Sequence, residues 1–306
     1  MTTLTRFVVA TAIALTVFTS VAQEKAKGKG GKKEVLVEDG KEFVYKKTPQ
    51  GELKLYVNYP PDWKASDQRP AIVFFFGGGW KNGLPTQFLT QAQYLATRGL
   101  VTVRADYRVF SRQHTTPDKC VEDAKSTIRW VRSHAKELGI DANRIVGSGG
   151  SAGGHLAAAT LSVEGFNGPD DDLSVSCKPN ILVLFNPALN LENVGGTITN
   201  AAGENIGHAV SPTPYLKKGA PGSIVFFGTD DRLNAHGREY LAKSKEMGVP
   251  CELYMAAGQP HGFFNRSPWK EVTLKKADEF LVSAGYLKGK PTLQLPDDAK
   301  PLVREE

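Results

Sequence analysis

Gly149-Gly150-Ser151-Ala152-Gly153 places a serine between glycines, with the apolar Ile145-Val146 before it and the helix-forming Leu156-Ala157-Ala158 after it. This is the spacing of a nucleophile elbow, a sharp strand-to-helix turn that pushes a serine hydroxyl out of a sheet. Side chains at Gly149 and Gly153 would collide where strand and helix cross, and the serine itself must take up strained backbone geometry. The start of the following helix favours negative charge developing beside Ser151. By itself the motif reads equally well as a flexible Gly/Ser turn. Nucleophilic attack by serine also requires a base, an acid to orient the base, and donors for an oxyanion.

The chain has six histidines. His134 lies inside a helical stretch, His155 follows the serine on its helix, His236 begins another helix, and His114 and His208 fall in loops. His261 differs, because Gln259-Pro260-His261-Gly262-Phe263 directly follows an apolar strand-like run, from which an imidazole can reach across the end of a sheet. The acid belongs on the loop after the preceding strand, where Gly228-Thr229-Asp230-Asp231-Arg232 follows Ile224-Val225-Phe226-Phe227. Neighbouring side chains diverge, so only one of Asp230 and Asp231 can face His261. Oxyanion donors are expected from Gly77-Gly78-Gly79, which follows the buried-strand pattern of residues 71–76, and from the N–H of Ala152. Trp80 is placed to wall a pocket or to enter the core.

These loops need a sheet to hold them. Residues 41–47 and 52–59, separated by Thr48-Pro49-Gln50-Gly51, predict an opening antiparallel hairpin. Further strands are expected at 71–76, 100–105, 144–146, 181–185, 223–227 and 252–255. Helices are expected at 87–96, at 117–138 with Thr116 as N-cap, after Ser151, at 235–247 and at 269–284. Strands alternating with helices predict an α/β fold, a mostly parallel central sheet covered by helices on both faces. Ligands bind such sheets at the carboxyl ends of the strands, where every candidate residue falls. Residues 186–222, rich in Gly, Asn, Pro and Thr, read as an irregular excursion over one edge. Residues 289–306 read as a polar tail.

Together, Phe76-Gly77-Gly78-Gly79-Trp80, Ala105-Asp106-Tyr107-Arg108, the segment 149–155, Gly228-Thr229-Asp230-Asp231 and His261-Gly262-Phe263 resemble the hormone-sensitive-lipase-like α/β-hydrolases. The similarity is greatest to the branch of small secreted bacterial esterases that includes acetylxylan and feruloyl esterases, and it runs from about Ala71 to Tyr286. The resemblance implies an α/β-hydrolase fold and a serine carboxylesterase needing no cofactor or metal. It implies a triad of Ser151, Asp231 and His261, an oxyanion hole from Gly78, Gly79 and Ala152 with Gly77 assisting, and a structural Asp106. The family usually opens its oxyanion motif with histidine; Phe76 stands there instead, removing a hydrogen-bonding anchor from the loop. Lipase-like relatives build a helical cap from an N-terminal extension, and the short stretch before Gly77 predicts no large cap. An open site suits a bulky or polymeric ester, such as acetylated polysaccharide. The competing readings are a serine peptidase or amidase with the same triad and a non-catalytic binding protein on a hydrolase scaffold.

The remaining features bound the cellular setting. Arg6, the apolar run 7–18 and Ser20-Val21-Ala22 have the form of a secretory signal peptide ending at Ala22, which predicts a secreted or periplasmic protein. The formal charge of +6 is concentrated there: residues 1–33 hold six cations against Glu24, which leaves +1 for residues 34–306. Residues 23–33 read as a basic flexible linker, residues 34–288 as the catalytic domain. The folded part has no basic stripe interleaved with aromatics, so nucleic acid is not expected as a partner, and neither is membrane insertion of the mature chain. Cys120, Cys177 and Cys251 lack metal-ligand spacing; they predict either one disulfide or free thiols.

Overall fold

A computed structural model describes residues 39–306. The signal peptide and basic linker expected at 1–33 lie outside the described residues. Nine strands form one sheet in the order β1-β2-β4-β3-β5-β6-β7-β8-β9. The opening hairpin, β1 (Lys41–Thr48) and β2 (Gly51–Asn58), is antiparallel and joins the sheet antiparallel to β4 (Val101–Ala105). From there β4, β3 (Arg69–Phe75), β5 (Ile140–Gly150), β6 (Ile181–Phe185), β7 (Ser223–Gly228) and β8 (Cys251–Ala256) run parallel.

The parallel strands are near-continuous apolar runs because both of their faces are covered. Alternate residues separate into two cores. Val73, Phe75, Leu182, Leu184, Val225 and Phe227 pack on the side of α3 (Pro117–Ser133), α5 (Ala152–Ser162) and α6 (Asn234–Met247). Ile72, Phe74, Val183, Phe185, Ile224 and Phe226 pack on the side of α1 (Leu89–Thr97) and α7 (Trp269–Ser283). A period of two in the strands therefore divides the helices between the faces.

Strand order reverses at β3: the chain proceeds first to β4 on one side, then returns to β5 on the other. The crevice beyond the carboxyl ends of β3 and β5 is the switch point at which open α/β sheets bind ligands. Gly77-Gly78-Gly79 follows β3 and Ser151 follows β5, so the order of the strands brings these two motifs together.

Four local features differ from expectation. The helix expected at 117–138 breaks at His134, leaving α3 and a single turn, α4 (Ala135–Leu138). Thr116 is the N-cap residue, but its hydroxyl makes no capping bond. The end of the 289–306 tail returns to the sheet, where β9 (Val303–Glu305) pairs antiparallel with β8. Its alternation of Val303, Arg304 and Glu305 carried too little apolar signal to mark a strand. A short helix, α2 (Phe110–Gln113), lies in what read as loop.

Candidate active site

Ser151 sits between β5 and α5 with φ 52°, a conformation that bulky residues rarely adopt and that the surrounding packing enforces. The crossing is tight: a Cβ on Gly153 would lie 2.0 Å from the Phe75 carbonyl oxygen, so only glycine lets α5 pass so close to β3. The Ser151 N–H donates to the Phe185 carbonyl at 2.9 Å, fixing the turn to β6. The hydroxyl is held outward, 2.7 Å from His261 Nε2.

His261 lies on the loop after β8, ahead of the short 3-10 turn Phe263–Asn265. Its Nδ1 is 2.8 Å from Asp231 Oδ2, and the other Asp231 oxygen accepts the Leu233 N–H at 2.8 Å. The Asp231 side chain is fully buried while His261 is part-exposed, so the carboxylate is screened from water behind the imidazole. Asp230 turns away to solvent and accepts the Thr229 hydroxyl. The divergence expected of two adjacent side chains thus selects Asp231. Asn186, at the end of β6, went unnoticed in the sequence. It is fully buried, with φ 36°; its Oδ1 accepts the Gly262 N–H at 3.1 Å, and its Nδ2 lies 3.4 Å from His261 Nε2. Its one sequence signal was an asparagine before proline at a strand's carboxyl end.

The glycine loop after β3 is shaped by backbone bonds. The Gly78 carbonyl accepts the N–H groups of Lys81 and Asn82 at 3.1 and 3.2 Å. Gly78 has φ 129°, and a Cβ there would strike the Asn82 carbonyl oxygen at 2.1 Å. The N–H groups of Gly78 and Gly79 donate to no described residue. That of Ala152, first in α5, has no preceding turn to bond. Gly77 departs from expectation: its N–H is taken by Gln87 Oε1 at 2.6 Å and is not available as an oxyanion donor. Phe76 does not leave the loop unanchored. Its ring stacks on Tyr107 with centroids 4.1 Å apart, and the Tyr107 hydroxyl donates to the Phe76 carbonyl at 2.7 Å. Asp106 lies alongside, accepting the Tyr107 N–H and a two-pronged pair from Arg112.

Trp80, buried at φ 59°, both borders the cavity and enters the core. Its indole N–H donates to His155 Nδ1 at 3.1 Å, and His155 Nε2 lies 2.8 Å from the Val210 carbonyl. The carbonyl can only accept, which places the imidazole proton on Nε2 and leaves Nδ1 to receive the tryptophan. Complete burial pushes the His155 pKa down to about 4, so the ring is neutral at ordinary pH. His155 therefore bridges the glycine loop, α5 and the excursion.

The BD-FAE family profile matches residues 55–184. Esterase 2 of Thermogutta terrifontis, in its apo form, is 45% identical, with a TM-score of 0.77, over 82% of this chain and 97% of that one. The chain belongs to the hormone-sensitive-lipase-like BD-FAE esterases. Esterase LipI of Mycobacterium tuberculosis is 28% identical over 70% of this chain and 72% of its own length. Carboxylesterase NlhH of the same organism is 26% identical over the same shares. Solved forms of the Thermogutta enzyme include one bound to propionate and one phosphorylated by paraoxon, each 45% identical with a TM-score of 0.76.

This BD-FAE esterase is thus a carboxylic ester hydrolase of the α/β-hydrolase fold. Its Ser151 opens onto a cavity of about 480 Å³ bordered by Trp80, Phe110 and Leu233. Residues 194–199 of the excursion border the same cavity, so the excursion reaches over the site and is not confined to an edge of the sheet. It has only two 3-10 turns and the single bridge Thr199↔Asn205, with no helical cap among the described residues. The other histidines stay apart from the triad: His134 stacks on Trp130, His208 meets Glu192, His236 accepts the Leu189 N–H, and His114 caps α2. All three cysteines are free thiols. Among the described residues no cluster of His, Cys, Asp and Glu could hold a metal, and no helix is long and apolar enough to cross a membrane.

Proposed function

We propose that this esterase works through Ser151, His261 and Asp231 on short-chain esters, outside the cytoplasm. The reading is carried by one observation: the Ser151 hydroxyl, on a strained turn bordering a cavity, lies 2.7 Å from an imidazole whose far nitrogen meets a buried carboxylate. Ser151 Oγ attacks the ester carbonyl while His261 Nε2 takes its proton, and Asp231 holds the tautomer and stabilises the imidazolium. The tetrahedral oxyanion accepts bonds from Gly78, Gly79 and Ala152. A donor of this kind supplies about 3–4 kcal/mol of transition-state stabilisation. Collapse returns the proton to the departing alcohol, and water, activated by the same histidine, then releases the acid. Trp80 bounds the substrate, and no step calls for a cofactor or metal.

Propionate and butyrate in solved forms of the Thermogutta relative support a short acyl group, acetyl included. The signal-like segment ending at Ala22 supports export, and export with an uncapped site supports acetylated polysaccharide such as xylan as the alcohol half. The test is hydrolysis of p-nitrophenyl acetate, butyrate and octanoate and of acetylated xylan, with a p-nitroanilide for amidase activity, by wild type and Ser151→Ala. Acetate preference, acetate release from xylan and a silent variant support the proposal. A preference for octanoate sinks the short-chain reading, and equal rates from the variant sink the triad.

A further inference from the structure

Among the described residues, the cavity beside Ser151 is bordered by two cations, Lys81 and Arg232, and by no aspartate or glutamate. Both cations are exposed, and neither forms an ion pair among the described residues; Arg232 donates one bond, at 3.2 Å, to the Val194 carbonyl at the cavity's rim. The acidic groups on adjoining elements do not border the cavity. Asp118 lies in the first turn of α3, Asp230 accepts the Thr229 hydroxyl, Glu192 meets His208, and Asp231 is buried behind His261. Phe110 also borders the cavity and is 55% exposed, an uncommon setting for a phenylalanine. It is held there by backbone: its N–H donates to the Trp80 carbonyl at 3.0 Å, and that of Ser111 donates to the Lys81 carbonyl at 2.8 Å. An apolar ring face and two uncompensated cations therefore share the mouth of one site.

We infer that the alcohol half of the preferred ester is a ring bearing a negative charge, the ring lying against Phe110 and the anion held by Lys81 and Arg232. The inference rests on the serine-esterase reading, in which the acyl half is short and the remaining space receives the alcohol. A uronic acid and an aromatic carboxylate both meet this description.

Two matched pairs test it: 4-acetoxybenzoate against its neutral methyl ester, and an O-acetylated methyl glucuronoside against the corresponding glucoside. Each kcat/KM is normalised to the ester's own alkaline hydrolysis rate, so that leaving-group reactivity cancels. Exposed cations are screened by water, so wild type is expected to favour the anionic member by about five- to tenfold, less as salt is added. In the Lys81→Gln/Arg232→Gln double variant this ratio should fall to about one, whatever common change the substitutions make to both rates. The pair with the larger wild-type ratio tells whether the sugar or the aromatic acid is the better fit. A ratio at or below one for both pairs in wild type, or one that the double variant leaves unaltered, overturns the inference. If that happens while Ser151→Ala is silent, only the charge preference falls. If Ser151→Ala matches wild type, the serine-esterase reading falls and takes the inference with it.

Discussion

Replacing His155 with glutamine separates its burial from its hydrogen bonds. A glutamine amide can accept from Trp80 and donate to the Val210 carbonyl as the imidazole does, but it does not titrate. Wild-type His155 is held at about 4 in the folded chain by loss of solvation and returns to its ordinary value of 6.5 on unfolding. Above pH 6.5 the ring is neutral in both states and adds no pH dependence. Below it the unfolded chain binds a proton that the folded chain refuses, so stability falls as pH drops and the loss is complete near pH 4. Spread over that interval the loss is about 3 kcal/mol. His155→Gln should cost about 1–2 kcal/mol at neutral pH through imperfect packing and geometry. The variant does not suffer the acid loss, so the wild-type advantage should shrink by about 3 kcal/mol between pH 7 and 4 and change sign. Urea unfolding of both proteins across that range, followed by tryptophan fluorescence, measures the difference directly. Carboxylates that destabilise both chains in acid cancel in the comparison. A difference that stays constant with pH to within about 0.5 kcal/mol would falsify the assignment of a neutral, buried His155.

Other substitutions probe the chemistry. Ser151→Ala should lower kcat by about a millionfold while leaving the circular dichroism unchanged, and should abolish labelling by an organophosphorus probe. Asp231→Asn should lower kcat by about ten-thousandfold through the wrong imidazole tautomer, whereas Asp230→Asn should stay within about twofold; comparable losses from both would contradict the assignment of the acid. Gly78→Ala forces its Cβ against the Asn82 carbonyl and should cost about a hundred- to thousandfold in kcat. Gly79→Ala meets no atom within 4 Å, so thermal unfolding should report only about 1–2 kcal/mol of left-handed backbone strain. Asn186→Ala should reduce kcat about tenfold at nearly constant KM by freeing the His261 loop, with about 1–3 kcal/mol lost from stability. A rise in KM alone would place Asn186 in substrate binding instead.

Local chemistry made much of this protein readable from its sequence. Alternating apolar strands and amphipathic helices specify a sheet covered on both faces, because each element carries its own burial pattern. Gly149 and Gly153 mark a close backbone crossing, and His261 and the Asp230-Asp231 pair stand in loops at strand ends, so linear spacing named Ser151 and His261 but left the acid between two neighbours, of which the family resemblance pointed to Asp231. What the tertiary structure decided depends on contacts between distant segments. Only the packed chain shows that Gln87 claims the Gly77 N–H, that Tyr107 takes over the anchoring of a loop without its histidine, and that His155 meets both Trp80 and Val210. Asn186 escaped notice for the same reason, since its partner lies on a loop 76 residues away. The weakly apolar β9 became a strand because the open edge of β8 offered it backbone hydrogen bonds. Periodicity reports which way a side chain faces; the identity of what it meets is settled only when strand order brings remote loops together.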